Sequence, residues 1–254
     1  MLEIQDLTKI YNAGTLTERR LFDHFSLTVP DHQFVVIVGS NGSGKTSLLN
    51  MICGSIPIEG GDIRVDGENI LKKKEFQRHS SIGRVYQNPS AGTALNMTVL
   101  ENLSLADCKG KSFGLRRGIP KSRIDFYRSE LQSLGLGLEE HLYAKMGALS
   151  GGQRQAISLL MATMTPLQFL ILDEHTAALD PKTADAMMVL TNKIIREKQL
   201  TAMMVTHNLR YAAEYGDRLL MMDRGHVILD CSGAEKQTLT PTEMMSQFQS
   251  LSLS

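Results

Sequence analysis

The residues Gly39-Ser40-Asn41-Gly42-Ser43-Gly44-Lys45-Thr46 follow the pattern G-x-x-x-x-G-K-[ST]. Glycines at these positions let successive backbone N–H groups turn inward around a polyphosphate. A lysine there reaches the β- and γ-phosphates, and the threonine hydroxyl suits Mg²⁺. The plain alternative is a glycine-rich turn that matches by accident. Context weighs against it: the apolar run Phe34 to Val38 precedes the loop, and a helical apolar pattern, Leu48, Leu49, Met51 and Ile52, follows. A helix starting at the loop adds positive potential where phosphate would sit.

A second chemical feature lies at Phe169-Leu170-Ile171-Leu172-Asp173-Glu174, an apolar run ending in two acids. A strand parallel to the first would deliver both carboxylates at the same edge of the sheet, beside the phosphates. Asp173 suits the outer shell of Mg²⁺. Glu174, one residue further, suits a general base or a group that positions an attacking water. An acidic strand end facing solvent is the competing reading, and the glycine loop in the same chain weighs against it.

These groups need a scaffold, and the hydrophobic pattern supplies one. Leu2, Ile4 and Leu7 open the chain as a strand, and Phe25, Leu27 and Val29 alternate with Ser26 and Thr28 as a half-buried one. Phe34 to Val38 shows no alternation, as expected of a strand buried on both faces in a parallel sheet. Ile63 to Gly67 predicts a short strand and turn. From Asn88 to Leu149 the pattern becomes helical, with Val99, Leu100, Leu103 and Leu105 and then Ile124, Tyr127, Leu131 and Leu134, around a basic stretch from Lys109 to Arg123. The last third alternates: a helix over Gln155 to Met164, a strand over Phe169 to Leu172, a helix over Thr183 to Lys198, a strand over Thr201 to Thr206, and a strand pair around Asp223-Arg224-Gly225. The prediction is one α/β domain with a mainly parallel sheet, an N-terminal antiparallel β portion and an inserted helical subdomain. Residues 1–87 and 150–254 form its core, and 88–149 the insertion.

Composition excludes several classes. The chain has 254 residues and 42% hydrophobic residues, so disorder is not its main state. Lys and Arg number 27 and Asp and Glu 27, a balance unlike the basic excess of a protein that coats nucleic acid. The 3 cysteines form no CxxC, so neither a disulfide scaffold nor a zinc site is indicated. The best apolar stretch, Ala156 to Leu172, is interrupted by Ser158, Thr163, Thr165, Pro166 and Gln168, and the N-terminus lacks a signal-peptide pattern. These features predict a soluble intracellular chain.

Leu149-Ser150-Gly151-Gly152-Gln153, shortly before the acidic strand, resembles the LSGGQ signature of ABC-type ATPases. Other motifs stand in the same order. Gln87 in Val85-Tyr86-Gln87-Asn88-Pro89 is similar to the Q-loop, Asp180 in Ala178-Leu179-Asp180 to the D-loop, His207 in Val205-Thr206-His207-Asn208 to the switch histidine, and Tyr11 to the aromatic that stacks on adenine. Each residue alone would have a bland explanation as a surface or packing residue; the ordered set covers essentially the whole chain.

The resemblance implies the P-loop ABC ATPase fold, with ATP and Mg²⁺ as cofactors. ATP would lie against Tyr11, Gly39 to Thr46, Ser47 and Gln87, with Thr46, Gln87 and Asp173 toward Mg²⁺ and with Lys45, Glu174 and His207 catalytic. The signature would face ATP held by a second cassette, because its glycines and following helix make a second anion-binding device that one phosphate chain does not need twice. Two cassettes, identical or not, would then enclose ATP head-to-tail. Further implied partners are an integral-membrane permease and a solute-binding protein, with no nucleic acid, and the implied location is the cytoplasmic face of the membrane.

The family commonly has Pro after the catalytic Glu, where this chain has His175. Two readings of His175 compete: a pH-sensitive influence on Glu174, and a subfamily variant with no direct catalytic role. The run from Asp173 to Ala184 is similar to a bacterial subgroup, the ATPase partners of amino-acid-type importers, including those assigned to tryptophan or tyrosine. The alternatives are a soluble ABC-type ATPase acting on nucleic acid or ribosomes, the ATPase of a split exporter, and a regulatory module that holds ATP without turnover. A single glycine loop, a single signature and no long heptad run count against the first, and intact Lys45, Asp173, Glu174 and His207 against the last.

Overall fold

The computed structural model describes residues 1–111 and 118–251. Residues 112–117 of the predicted basic stretch lie outside the described residues. Among the described residues, ten strands form two sheets. Strands β1 (Leu2–Tyr11), β2 (Arg19–Val29), β4 (Gly60–Val65) and β5 (Glu68–Asn69) pair antiparallel in the order β2-β1-β4-β5. Strands β3 (Phe34–Gly39), β6 (Ile82–Val85), β7 (Phe169–Asp173), β8 (Ala202–Val205), β9 (Arg218–Asp223) and β10 (His226–Ser232) form the second sheet, in the order β10-β9-β3-β8-β7-β6. All its pairings are parallel except β10 with β9. The predicted fold class is the one observed.

The helices are α1 (Lys45–Cys53), α2 (Glu75–Arg78), α3 (Val99–Asp107), α4 (Ile124–Ser133), α5 (Gly151–Thr163), α6 (Pro181–Glu197), α7 (Leu209–Glu214), α8 (Gly233–Thr238) and α9 (Pro241–Leu251). Local sequence explains the starts of several. Thr98 and Glu101 make a reciprocal capping box for α3, as Ser150 and Gln153 do for α5. Asp180 caps α6 and Pro181 opens it, a position where the missing N–H costs nothing.

Every residue of β3 is buried, and its alternate side chains enter different cores. Phe34, Val36 and Val38 join a core with α3 to α7 on one face of the parallel sheet. Val35 and Ile37 join a second core on the other face, which also takes the apolar side of α1 and the inner face of the antiparallel sheet. Full burial of each such side chain contributes roughly 1.5–3 kcal/mol, so the strand that ends in the glycine loop is anchored from both sides. The helix beyond the loop is fixed too: the buried Arg78 guanidinium donates to the carbonyls of Met51 (2.8 Å) and Ile52 (3.2 Å) at the end of α1.

The predicted elements of the first and last thirds stand where the pattern placed them. The change of apolar spacing after Ile4 is a β-bulge, with Asp6 at φ 54° and a register shift before Leu7. Leu105, read with the apolar face of α3, is 53% exposed, because it lies two residues from the buried Leu103 and so on another side of the helix. Strand β6 and helices α7 to α9 carried no clear pattern. Strand β6 and helices α7 and α8 are short, whereas α9 has 11 residues and reaches the core through Met244, which is fully buried.

Candidate functional site

The glycine loop leaves the C-terminal end of β3 at the centre of the parallel sheet. Gly44 has φ 105°, and a Cβ there would lie 2.8 Å from the Phe22 ring, so only glycine fits as the loop enters α1. The Lys45 ammonium is buried and donates to the carbonyls of Gly39 (2.8 Å) and Ser40 (2.9 Å) and to Ser43 Oγ (3.3 Å). Burial lowers the Lys45 pKa, and the nearby Glu174 carboxylate works the other way. Ser40 Oγ donates to Asp223 Oδ1 at 2.9 Å, tying the loop to the end of β9.

A cleft of about 450 Å³ opens over the loop. Asn41, Gly42, Gly44, Lys45, Thr46 and Ser47 form its floor; Tyr11 and Arg19 stand at one side and Glu174 and His207 at another. The Tyr11 hydroxyl donates to Ser47 Oγ at 3.0 Å, which fixes the ring beside the first turn of α1. The Arg19 guanidinium donates to the Gly42 carbonyl at 3.1 Å and brings a positive charge to the loop.

Sheet register explains how Glu174 and His207 meet. Asp173 is the last residue of β7 and pairs with Val205, the last of β8, so the chain leaves both strands at one level. Glu174 N–H donates to the Val205 carbonyl at 3.0 Å, and Glu174 takes a left-handed φ of 47°. His207 Nε2 lies 2.7 Å from Glu174 Oε1. Separated by more than thirty positions in sequence, the carboxylate and imidazole form one close pair facing the glycine loop.

Asp173 points to another partner. Its Oδ2 accepts from Arg84 Nη2 at 2.6 Å, with both side chains largely buried. Gln87 stands exposed, two residues past β6, and is not among the residues lining the cleft. The residue before it is held from α5: the buried Gln155 donates to the Tyr86 carbonyl at 3.0 Å.

The signature residues lie elsewhere. Ser150, Gly152 and Gln153 border a separate cleft of about 460 Å³ with Thr183, Met187 and Leu190, and the two clefts share no lining residue. Leu149 is buried and Gly151 opens α5. Asp180 Oδ1 accepts from Thr183 N–H at 3.1 Å, and hydrogen bonding from the side chain and then the backbone of Thr183 lowers its pKa. His175 is 1% exposed, with Nε2 at 3.0 Å from Thr191 Oγ1 of α6, and burial pushes its pKa down to about 4. It is outside the cleft and uncharged at neutral pH, which favours the reading with no direct catalytic role.

Sequence reasoning missed Arg19, Arg84 and Gln155. Arg19 belongs to a polar, unpatterned stretch, and only the fold brings it back to the loop. Arg84 interrupts an otherwise apolar strand, Ile82-Gly83-Arg84-Val85, and a charge inside a buried strand was the available signal.

A glycine loop between a central parallel strand and its helix, with an acid and a histidine from the next strands closing one cleft, defines a P-loop nucleotide hydrolase of the ATP-binding cassette type. The ABC transporter family profile matches residues 22–177, and the chain belongs to that family. It is an ABC ATPase, the ATP-binding subunit of a transporter. It is 43% identical to the tyrosine transport ATP-binding protein of Clostridioides difficile, over 98% of this chain and 99% of that one. It is 34% identical to the thiamine import ATP-binding protein of Histophilus somni, over 80% of this chain and 89% of that one. Among solved structures, the dimeric ATP-binding cassette MJ0796 in a post-hydrolysis state bound to ADP and Pi superposes with a TM-score of 0.76 at 27% identity, covering 91% of this chain and 98% of that one.

Proposed function

We propose that this subunit drives import of an amino-acid-class solute by hydrolysing ATP beneath a membrane permease. The observation that carries the chemical part is the 2.7 Å Glu174–His207 pair facing the Lys45 loop in one cleft. Backbone N–H groups of residues 39 to 46 and the N-terminus of α1 take the phosphates, and the Lys45 ammonium exchanges its loop carbonyls for β- and γ-phosphate oxygens. Tyr11 offers its ring to the adenine. Glu174 orients a water and accepts its proton as the water oxygen bonds to the γ-phosphorus. The bond from that phosphorus to the β–γ bridging oxygen breaks, releasing ADP and phosphate. His207 holds the carboxylate on the phosphate side and contacts the γ-phosphate.

The donor set fits Mg²⁺. Thr46 and Asp173 offer hard oxygen ligands, and the described residues contain no cluster of three or more His, Cys, Asp or Glu side chains that could cage an ion alone. That suits a cation held mainly by phosphate and water, with Thr46, Asp173 and Gln87 completing the shell. When bound it would neutralise charge on the β- and γ-oxygens.

The signature cleft, apart from the loop cleft, supports the head-to-tail arrangement in which Ser150 to Gln153 of one cassette face ATP on another, with Asp180 near the seam. The permease helix is assigned to the groove between the core and the 88–149 insertion, bordered by His79, Arg84, Tyr86, Lys109, Ser158 and Met161. Among the described residues no helix is long and apolar enough to cross a membrane. Membrane crossing therefore falls to the permease, and this subunit is placed at its cytoplasmic face. The tyrosine transport relative supports the solute class; a solute-binding protein is the further partner proposed.

Glu174→Gln tests the assignment. ATP binding should persist, turnover should fall at least 100-fold, on the order of the contribution of a general base, and an ATP-bound dimer should accumulate on size exclusion. Wild-type turnover in that variant refutes the role of Glu174. Copurification with a permease, and tyrosine uptake by the reconstituted complex, test the transport assignment; loss of solute on ATP addition to loaded vesicles points to export instead.

A further inference from the structure

Arg84 has no part in the chemistry above, yet it holds the acid nearest the expected metal. It lies on β6, whose register sets it opposite Ile171 of β7, and its side chain is 7% exposed. Nη2 donates to Asp173 Oδ2 at 2.6 Å, and Nη1 donates to Asn50 Oδ1 at 2.8 Å. The guanidinium carbon stands 4.7 Å from the centre of the Tyr86 ring. One planar fork thus joins three pieces of the site: α1, which carries the glycine loop, β7, which delivers both acids, and the segment leading to Gln87. A guanidinium offers donors in fixed directions, so a carboxylate bonded to it is fixed in rotation as well as position.

We propose that Arg84 is a positioning residue for the metal–nucleotide complex: by occupying Oδ2 of Asp173 it turns Oδ1 toward the metal-bound water. The inference rests on reading the cleft as a Mg²⁺–ATP site. Charge and orientation make opposite predictions. If Arg84 served only as a positive charge, its removal would strengthen cation binding, because a repelling neighbour would be gone. If it positions Asp173, removal weakens cation binding although the repulsion disappears.

The experiment is a titration of Mn²⁺ followed by electron paramagnetic resonance, with a non-hydrolysable ATP analogue present, on the full chain. Analogue affinity is measured separately in EDTA. Arg84→Met, which keeps the stem and loses the fork, should weaken Mn²⁺ binding about 10-fold or more, the scale of an outer-shell partner. Its analogue affinity in EDTA should stay within about 2-fold of wild type, since the loop is untouched. Arg84→Lys should recover part of the loss, because an ammonium can reach Asp173 but cannot span both partners. Asn50→Ala should show a smaller loss of the same sign, and it carries the test if Arg84→Met does not fold. Unchanged or tighter Mn²⁺ binding in Arg84→Met, or in Asn50→Ala where that variant stands in, overturns the proposal. So does Arg84→Lys behaving no better than Arg84→Met. Failure of the wild-type chain to bind the analogue at all overturns the nucleotide-site reading itself, and this inference with it.

Discussion

Acid should destabilise this protein through His175 as the pH falls below about 6.5. The imidazole is 1% exposed and bonded to Thr191, and burial holds its pKa at about 4 against an ordinary 6.5. The folded chain therefore keeps His175 neutral while the unfolded chain protonates it. Its contribution to stability is complete above pH 6.5, drains as pH falls below that, and is exhausted near pH 4. At about 1.4 kcal/mol per unit, the whole shift corresponds to about 3 kcal/mol, of which about 2 kcal/mol is already lost near pH 5. The assay is urea unfolding at about pH 7.5 and about pH 5, for wild type and for His175→Gln, which keeps a polar tip for Thr191 but does not titrate. Wild type should lose about 2 kcal/mol more than the variant between the two conditions. Equal losses would refute the reasoning, whatever the variant's stability at neutral pH. The same numbers leave turnover near pH 7 free of any His175 titration.

Gly152→Ala would bring a Cβ to 2.4 Å from Thr183 Cγ2 and should destabilise the chain by about 1–3 kcal/mol in urea unfolding; adding Thr183→Ser, which removes that methyl, should restore most of the loss. Gly44→Ala meets both a φ of 105° and the Phe22 ring, so ATP binding measured by fluorescence titration should fall at least 10-fold, about 1.4 kcal/mol. Tyr11→Phe loses only the 3.0 Å bond to Ser47 and should keep ATP affinity within about 3-fold, whereas Tyr11→Ala should lose about 10-fold. Asp180→Ala removes the cap of α6 and should destabilise the chain, read as a lower thermal midpoint.

How far the sequence carried depended on whether a residue's role is local. The glycine loop was legible because strand, loop and helix are contiguous, and each glycine has a backbone reason to be there. The core strands β3, β7 and β8 were legible because burial on both faces leaves an unbroken apolar run. Glu174 and His207 were named separately from motifs, but their pairing was not, because it depends on β7 and β8 being neighbours in register. The contacts of Arg84 and Arg19 were hidden for the same reason: each acts across the sheet or between sheets on a residue distant in sequence. Helices α7 and α8 escaped because segments of 6 residues hold too few apolar positions to set a period.

The turn at residues 173 to 175 joins three facts that look unrelated in sequence. Glu174 sits at φ 47°, a conformation that costs a non-glycine residue on the order of 1 kcal/mol. Such a cost persists only where neighbours over-determine the backbone, and here they do. Glu174 N–H is fixed by the Val205 carbonyl, and the next residue, His175, is buried and fastened to Thr191 of α6. The imidazole anchors the turn through burial and one hydrogen bond. The Glu174 carboxylate is thereby presented to His207 by a backbone fixed on both sides. This accounts for a histidine held neutral at the cost of acid stability, one residue from the proposed base and outside its cleft.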